Sequence, residues 1–431
     1  MLQMRPPMKR SALSELGRST EPPAISWLME VALSRPNLVS LAAGFTDNES
    51  LPLNQTRELL DEILRSPKTG RPALQYGTTA GDPELRKLTA AVSHSQDVAA
   101  GAKVAKYTAS QTVITHGSQQ LLYILTEALC DPGDIVILED PTYFVYLGIA
   151  QSHRLQCRGV RLEADGIDLA HLEQVLESLK KSGDLPRVKM LYLVSYFQNP
   201  TGTTTSFAKK VKALELLRRY EKFAGHPIYL LEDAAYRELR FSGADEASAL
   251  AAAKFSDRVL YTSTYSKPFA TGVRVGFGIL PPEILEVVLR IKGNHDFGTA
   301  NLLQRIMTAA LSSTAYDKHL PQLRARYAKK AITMTNAIRE HFPSQVEWAE
   351  PAGGLYVWAK VPDKIKSGTK SKLFQTALEN DVLYVPGELC YANDPTRRKP
   401  NSAMRISFGG ANEKNIALGI ARLGGVLKKF L

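Results

Sequence analysis

Between Tyr261 and Gly278 the chain reads YTSTYSKPFATGVRVGFG. A β-branched run rises to Thr264-Tyr265-Ser266-Lys267, Pro268 and Gly272 interrupt it, and Arg274 stands seven residues past the lysine. Residues 275–279 then read as another short strand. A lysine at a strand end is partly desolvated, which frees its amine to attack a carbonyl. The hydroxyls of Thr264 and Ser266 and the guanidinium of Arg274 suit a phosphate. A carbonyl cofactor with a phosphate tail is pyridoxal 5'-phosphate (PLP). The same residues also read as a surface Ser-Lys turn, so the rest of the chain must decide.

Five further stretches offer matching chemistry, each beside a plain structural alternative. Gly117-Ser118-Gln119-Gln120 follows a strand and opens a helix, where free amides and the helix dipole can hold a phosphate; an ordinary serine cap reads equally well. Tyr143, in Asp140-Pro141-Thr142-Tyr143, could stack on a flat ring at a strand end or start the core face of the next helix. Asn199-Pro200-Thr201-Gly202 is a turn in any protein, with an amide free to donate. In Glu232-Asp233-Ala234-Ala235-Tyr236 a carboxylate at a buried strand end needs a cation, for which a protonated pyridine nitrogen would serve; a cap of the next turn is the alternative. Arg405, within Met404-Arg405-Ile406-Ser407-Phe408, is either a bidentate carboxylate clamp or an edge-strand charge.

Taken in this order, the stretches resemble the class I and II aminotransferases, the fold type I PLP enzymes, and most nearly their 2-aminoadipate/kynurenine group. The resemblance covers nearly the whole chain. That family has Ser-x-Ser-Lys at the cofactor lysine; Thr264 departs from it but keeps the hydroxyl. The resemblance implies Lys267 as Schiff-base lysine and proton shuttle. It implies Asp233 on the ring nitrogen, Tyr143 over the ring, and Asn199 with Tyr236 on the phenolic oxygen. The phosphate would fall to Ser118, Gln119, Thr264, Ser266 and Arg274. Arg405 would hold the substrate α-carboxylate, with Asn199 and the loop at Gly44 approaching the substrate. Tyr76, in Gln75-Tyr76-Gly77 ahead of Gly81, would reach the phosphate of a partner subunit, making a homodimer with shared active sites; a core tyrosine is the other reading.

Positioning these residues takes a strand–helix alternation. Strands are expected at 111–115, 134–138, 154–161, 188–194, 228–232, 258–264 and 274–279, and helices at 118–130, 143–151, 168–181, 206–224 and 282–291. That pattern predicts an α/β fold whose mostly parallel seven-stranded sheet carries its site at the strand C-termini. Ahead of it come a helix near 23–34, a strand at 38–43, a helix at 54–66 and a loop at 67–70. A long helix is expected over 299–341, then a smaller α+β unit with strands at 346–349, 354–360 and 404–407 and helices at 371–379 and 412–430. The expected division is 1–50 for an N-terminal arm and part of the small domain, 51–310 for the large PLP-binding domain, and 311–431 for the small C-terminal domain.

Composition narrows the classes. At 431 residues, 44% hydrophobic and 23% charged, the chain fits a globular protein of two or three units. No run is apolar enough to cross a bilayer, and the basic first residues have no apolar core, so neither a membrane span nor a secretory signal is expected. Cys130, Cys157 and Cys390 form no close pair or metal spacing, which fits a cytoplasmic compartment and no metal site. The net charge of +11 is dispersed as solvated faces rather than a nucleic-acid patch, and would draw anionic substrates and cofactor.

The implied reaction is a ping-pong transfer of the amino group of an L-amino acid to a 2-oxo acid, 2-oxoglutarate and glutamate being one pair. A PLP lyase acting at Cβ or Cγ would use the same lysine and aspartate. A PLP- or amino-acid-sensing protein with a decayed site is a third reading, but every candidate position is chemically competent. The helix at 24–31 carries Trp27, Leu28 and Met29 and no arginine, which favours aromatic or aliphatic substrates over strict dicarboxylates.

Overall fold

The computed structural model describes residues 12–431; the leading part of the expected N-terminal arm, residues 1–11, lies outside the described residues. Seven strands form the main sheet: β1 (Thr112–His116), β2 (Ile135–Glu139), β3 (Gln156–Val160), β4 (Val188–Val194), β5 (Tyr229–Asp233), β6 (Val259–Thr264) and β7 (Val275–Ile279). Their order is β1-β7-β6-β5-β4-β2-β3. β7 runs antiparallel to both neighbours, and the other pairings are parallel. Strands β2, β5, β6 and β7 are buried along their whole length, which is why they read as near-continuous apolar runs rather than alternating ones. Each expected strand is present within a few residues of its predicted bounds.

The parallel strands end together. Glu139, Val194, Asp233 and Thr264 are the last residues of β2, β4, β5 and β6, and Asp233 lies level with Val194 on one side and Thr262 on the other. Every connection at that edge must turn there, so the motif residues are gathered by topology alone. A second, antiparallel sheet holds β8 (Glu347–Trp348), β9 (Tyr356–Lys360), β10 (Val385–Pro386) and β11 (Ala403–Ser407) in the order β8-β9-β11-β10. Arg405 sits centrally in it, level with Trp358 and Val385.

Three expectations need correction. The loop expected at 67–70 is the start of a helix, Pro67–Leu74. Ser66 caps it by accepting from the Thr69 amide, and Pro67 at the first position presets the helical φ; both outweigh Gly70 and Pro72 inside. The helix expected over 299–341 is two, Asn301–Ser312 and Ala315–His341, because Ser313 is extended. The strand expected at 38–43 pairs only at Val39–Ser40, beside Val382–Leu383. Beyond it the backbone is used differently: the carbonyls of Ala42 and Gly44 accept from Arg405 and Lys267.

Among the described residues, no helix is long and apolar enough to cross a membrane, and no three His, Cys, Asp or Glu side chains are grouped to hold a metal ion.

Candidate active site

Twelve of the thirteen residues singled out in the sequence line one cavity of about 280 Å³ at the C-terminal edge of the main sheet: Gly44, Ser118, Gln119, Tyr143, Asn199, Asp233, Tyr236, Thr264, Ser266, Lys267, Arg274 and Arg405. Trp27, Leu28 and Met29, named on the helix at 24–31, do not line this cavity either, Ile25 being the residue of that helix that does; of the thirteen, Tyr76 is the exception. It is 81% exposed and stands edge-on to Phe297, ring centres 5.4 Å apart.

Lys267 follows β6 by three residues. Its Nζ donates to the Gly44 carbonyl at 2.9 Å and lies 5.9 Å from the centre of the Tyr236 ring. Burial, then the nearby charges of Arg405 and Arg274, lower its pKa to about 8. A larger share of the amine is therefore uncharged near neutrality than in a free lysine. Gly44 has no room for a side chain: a Cβ there would lie 2.7 Å from the Tyr356 hydroxyl.

At one end of the cavity the donors cluster. Arg274 Nη1 donates to Ser266 Oγ at 3.2 Å, and the Thr264 and Ser266 hydroxyls are 3.0 Å apart. Helix Ser118–Leu129 begins here behind Gly117, whose φ of +74° suits glycine and which supplies no side-chain cap. The first-turn amides are thus left without a side-chain cap, at the positive end of the dipole. A Cβ on Gly276 would come within 2.3 Å of the Ser118 nitrogen, so β7 passes directly against the helix start. This end of the cavity suits a phosphate.

Asp233 is 3% exposed. Tyr192 donates to its Oδ2 at 3.0 Å and the Ala235 amide to its Oδ1 at 3.2 Å, but no described cation pairs with it. Burial pushes its pKa up to about 6, against those two hydrogen bonds. Such a carboxylate calls for a cation delivered from the cavity. Burial raises the pKa of the Tyr143 and Tyr236 phenols as well, so both stay protonated and able to donate.

Arg405 is 1% exposed and has no carboxylate partner among the described residues. Its Nη1 donates to Asn199 Oδ1 at 2.8 Å and its Nη2 to the Ala42 carbonyl at 2.6 Å, while its Nε is buried with no partner. Because Asn199 spends its carbonyl oxygen on Arg405, its amide nitrogen is the end left to donate. Tyr356 lies under the guanidinium at 4.3 Å and shares a 3.1 Å hydrogen bond with the Tyr236 hydroxyl.

Tyr356, Phe45, Ile25 and Thr271 line the cavity, and Tyr192 supports it, without having been singled out in the sequence. For Tyr356 a signal exists: it stands two residues before Trp358, which pairs with Arg405, so alternation puts it on a shared face. Tyr192 carries none, being one apolar residue in an apolar strand.

The class I and II aminotransferase family model matches residues 36–423. The aromatic-amino-acid aminotransferase 1 of Thermococcus litoralis is 31% identical over 91% of this chain and 88% of its own length. The 2-aminoadipate transaminase of Thermus thermophilus is 31% identical over 92% of each. The solved structure of Pyrococcus horikoshii kynurenine aminotransferase, in complex with PMP, is 31% identical and superposes with a TM-score of 0.86 over 97% of this chain and 98% of that one. A family match across most of the length, over a cavity that holds an amine, a cluster of hydroxyl and guanidinium donors and a buried arginine, settles the family: this chain is a class I and II aminotransferase, a PLP-dependent enzyme of fold type I near the 2-aminoadipate/kynurenine group.

Proposed function

We propose that the enzyme moves the amino group of an L-amino acid to a 2-oxo acid by a ping-pong sequence, with 2-oxoglutarate and glutamate as one pair. The observation that carries this is the cavity's charge pattern: a half-buried amine shares it with a buried carboxylate and a buried guanidinium, neither with an ionic partner among the described residues. PLP supplies a carbonyl that accepts the amino group and a ring that spreads the charge left by the departing α-proton. Lys267 holds the cofactor through its amine and, once displaced by substrate, moves the α-proton at Nζ. Asp233 keeps the ring nitrogen protonated, and Tyr143 covers a ring face. The Asn199 amide and the Tyr236 hydroxyl donate to the phenolic oxygen. Ser118, Gln119, Thr264, Ser266 and Arg274 hold the phosphate, and Arg405 clamps the substrate α-carboxylate through its open donor edge.

Ile25 and Phe45 line the cavity beside Gly44, and among the described residues the cations lining it are Lys267, Arg274 and Arg405, each with a role already. This supports aromatic or aliphatic substrates. The exposed Tyr76 supports a homodimer in which it reaches the partner's phosphate site. The three cysteines, all buried and unpaired, support a cytoplasmic setting.

The test is the visible spectrum of PLP-loaded protein mixed with single L-amino acids, without 2-oxo acid. Loss of the bound-cofactor band, reversed by adding a 2-oxo acid, is expected. A band that returns unaided while ammonia and 2-oxo acid accumulate would make the enzyme a lyase. Absence of any Lys267-dependent band would overturn the reading.

A further inference from the structure

The segment between the turn Gly387–Cys390 and β11 leaves the small sheet and grips the large one. The Cys390 carbonyl accepts from the Thr142 amide at 2.8 Å, and the Ala392 amide donates to Asp140 Oδ1 at 3.2 Å. Arg397 Nε donates to Asp140 Oδ2 at 2.6 Å, Nη2 reaches the same oxygen, and Nη2 also donates to the Ala392 carbonyl at 3.1 Å. Further along the edge, the Gly159 amide donates to Asp394 Oδ2 at 2.8 Å. Gly159 is itself part of the fit, since a Cβ there would lie 2.6 Å from Asp140 Oδ2. The Asp140 side chain is 8% exposed and that of Arg397 24%, whereas Arg398 beside it is exposed.

Position in the chain gives these contacts their meaning. Tyr143 comes three residues after Asp140, and Arg405 eight after Arg397. The two residues assigned to the ring face and to the substrate carboxylate therefore stand on separate elements, the turn that follows β2 and strand β11, and this ion pair is a tie between their backbones. Buried ion pairs are poor stabilisers compared with an apolar replacement, because desolvation offsets the attraction. What such a pair supplies well is a fixed relative position.

We propose that Asp140 and Arg397 are positioning residues that hold the Tyr143 turn and the Arg405 strand in register across the cavity. The proposal rests on the roles of Tyr143 at the ring and Arg405 at the carboxylate. Displacement of a substrate-orienting group by a fraction of an ångström weakens binding of the group it orients. The loss therefore falls on amino-acid binding more than on the cofactor.

The test uses PLP-loaded enzyme carrying Arg397→Met, Arg397→Lys, the double change Asp140→Asn with Arg397→Met, or Arg398→Met as control. KM and kcat for an amino acid, the cofactor band and the melting temperature are read together. Arg397→Met should raise KM about tenfold while kcat changes by less than about threefold and the band stays in place. Arg397→Lys should restore part of the loss, the double variant should be no worse than Arg397→Met, and Arg398→Met should match wild type. A lower melting temperature with wild-type KM in Arg397→Met overturns the proposal. Where that single variant does not fold, a wild-type KM in the double variant overturns it equally. An equal rise of KM in Arg398→Met also overturns it. A wild type without a cofactor band refutes the functional reading first, a result distinct from either.

Discussion

Two neighbouring residues at the end of β5 face opposite ways and meet opposite fates. Glu232 points into the protein, where Lys210 pairs with it at 2.9 Å, both side chains fully buried. Lys210 also donates to the Ala247 carbonyl and lies 4.1 Å over the Tyr196 ring. Close by, the buried Arg237 pairs with Asp97 at 2.8 Å. Asp233 points into the cavity, nearly as buried, and finds two neutral donors and no cation among the described residues. Arg405 in the same cavity is the mirror case, a buried cation without an anion among the described residues. Burial alone does not mark a functional charge, since structural ion pairs are buried as deeply. The mark is a buried charge whose partner the chain itself does not provide.

The sharpest way to break this contrast is at the amine that shares the cavity with the open charges. Lys267→Ala should cut turnover by roughly a thousandfold or more, since attachment and proton transfer are lost together; steady-state rates of the PLP-loaded variant check it, and wild-type turnover would sink the assignment. The next largest effect should separate closed from open charges. Lys210→Met strands Glu232 and should destabilise by about 3–5 kcal/mol, most of it recovered on adding Glu232→Leu. Arg405→Met strands no anion, so the melting temperature of the cofactor-free protein should hold or rise while KM for the amino acid rises about a hundredfold. Denaturant melts beside steady-state kinetics test both halves, and a destabilised Arg405→Met would dissolve the distinction.

The smallest effect is in pH. With Lys267 at about 8, its free amine grows as pH rises, so cofactor uptake by the cofactor-free protein should speed up and level off above that value. The sign for stability agrees. The folded pKa lies below the unfolded value of about 10.4, so the penalty of burying the ammonium is complete below pH 8 and relieved as pH climbs between the two. Stopped-flow uptake against pH reads the midpoint. Arg405→Met, by removing a neighbouring cation, should move it upward, and an unchanged midpoint would mean that burial and Arg274 set it without Arg405.

Much of the fold and site is legible in the chain because the sheet is parallel and buried. Its strands are apolar runs closed by turn residues, and a parallel sheet delivers every strand end to one edge. Short local words such as Asn199-Pro200-Thr201-Gly202 therefore report on a common site although they are scattered over 300 residues. The helix Pro67–Leu74 hides in the sequence because glycine and proline signal breaks only on average, and the cap at Ser66 overrides them. The strand at 38–43 looks longer than it is because its apolar pattern does not reveal that the Ala42 carbonyl, and that of Gly44 just past it, serve side chains more than 200 residues away.

The sequence by itself determined the α/β alternation and the edge where a site would lie, since these follow from local periodicity, while the choice of residues on that edge came from the resemblance of the motifs to a known family. Only the tertiary structure decided which charges are left open. Lys210 closes Glu232, Tyr192 alone among the described side chains donates to Asp233, and the guanidinium of Arg405 is braced by Asn199 and Tyr356. Those outcomes depend on side chains that meet across the fold, and a pairing between distant residues has no periodicity for a sequence to display.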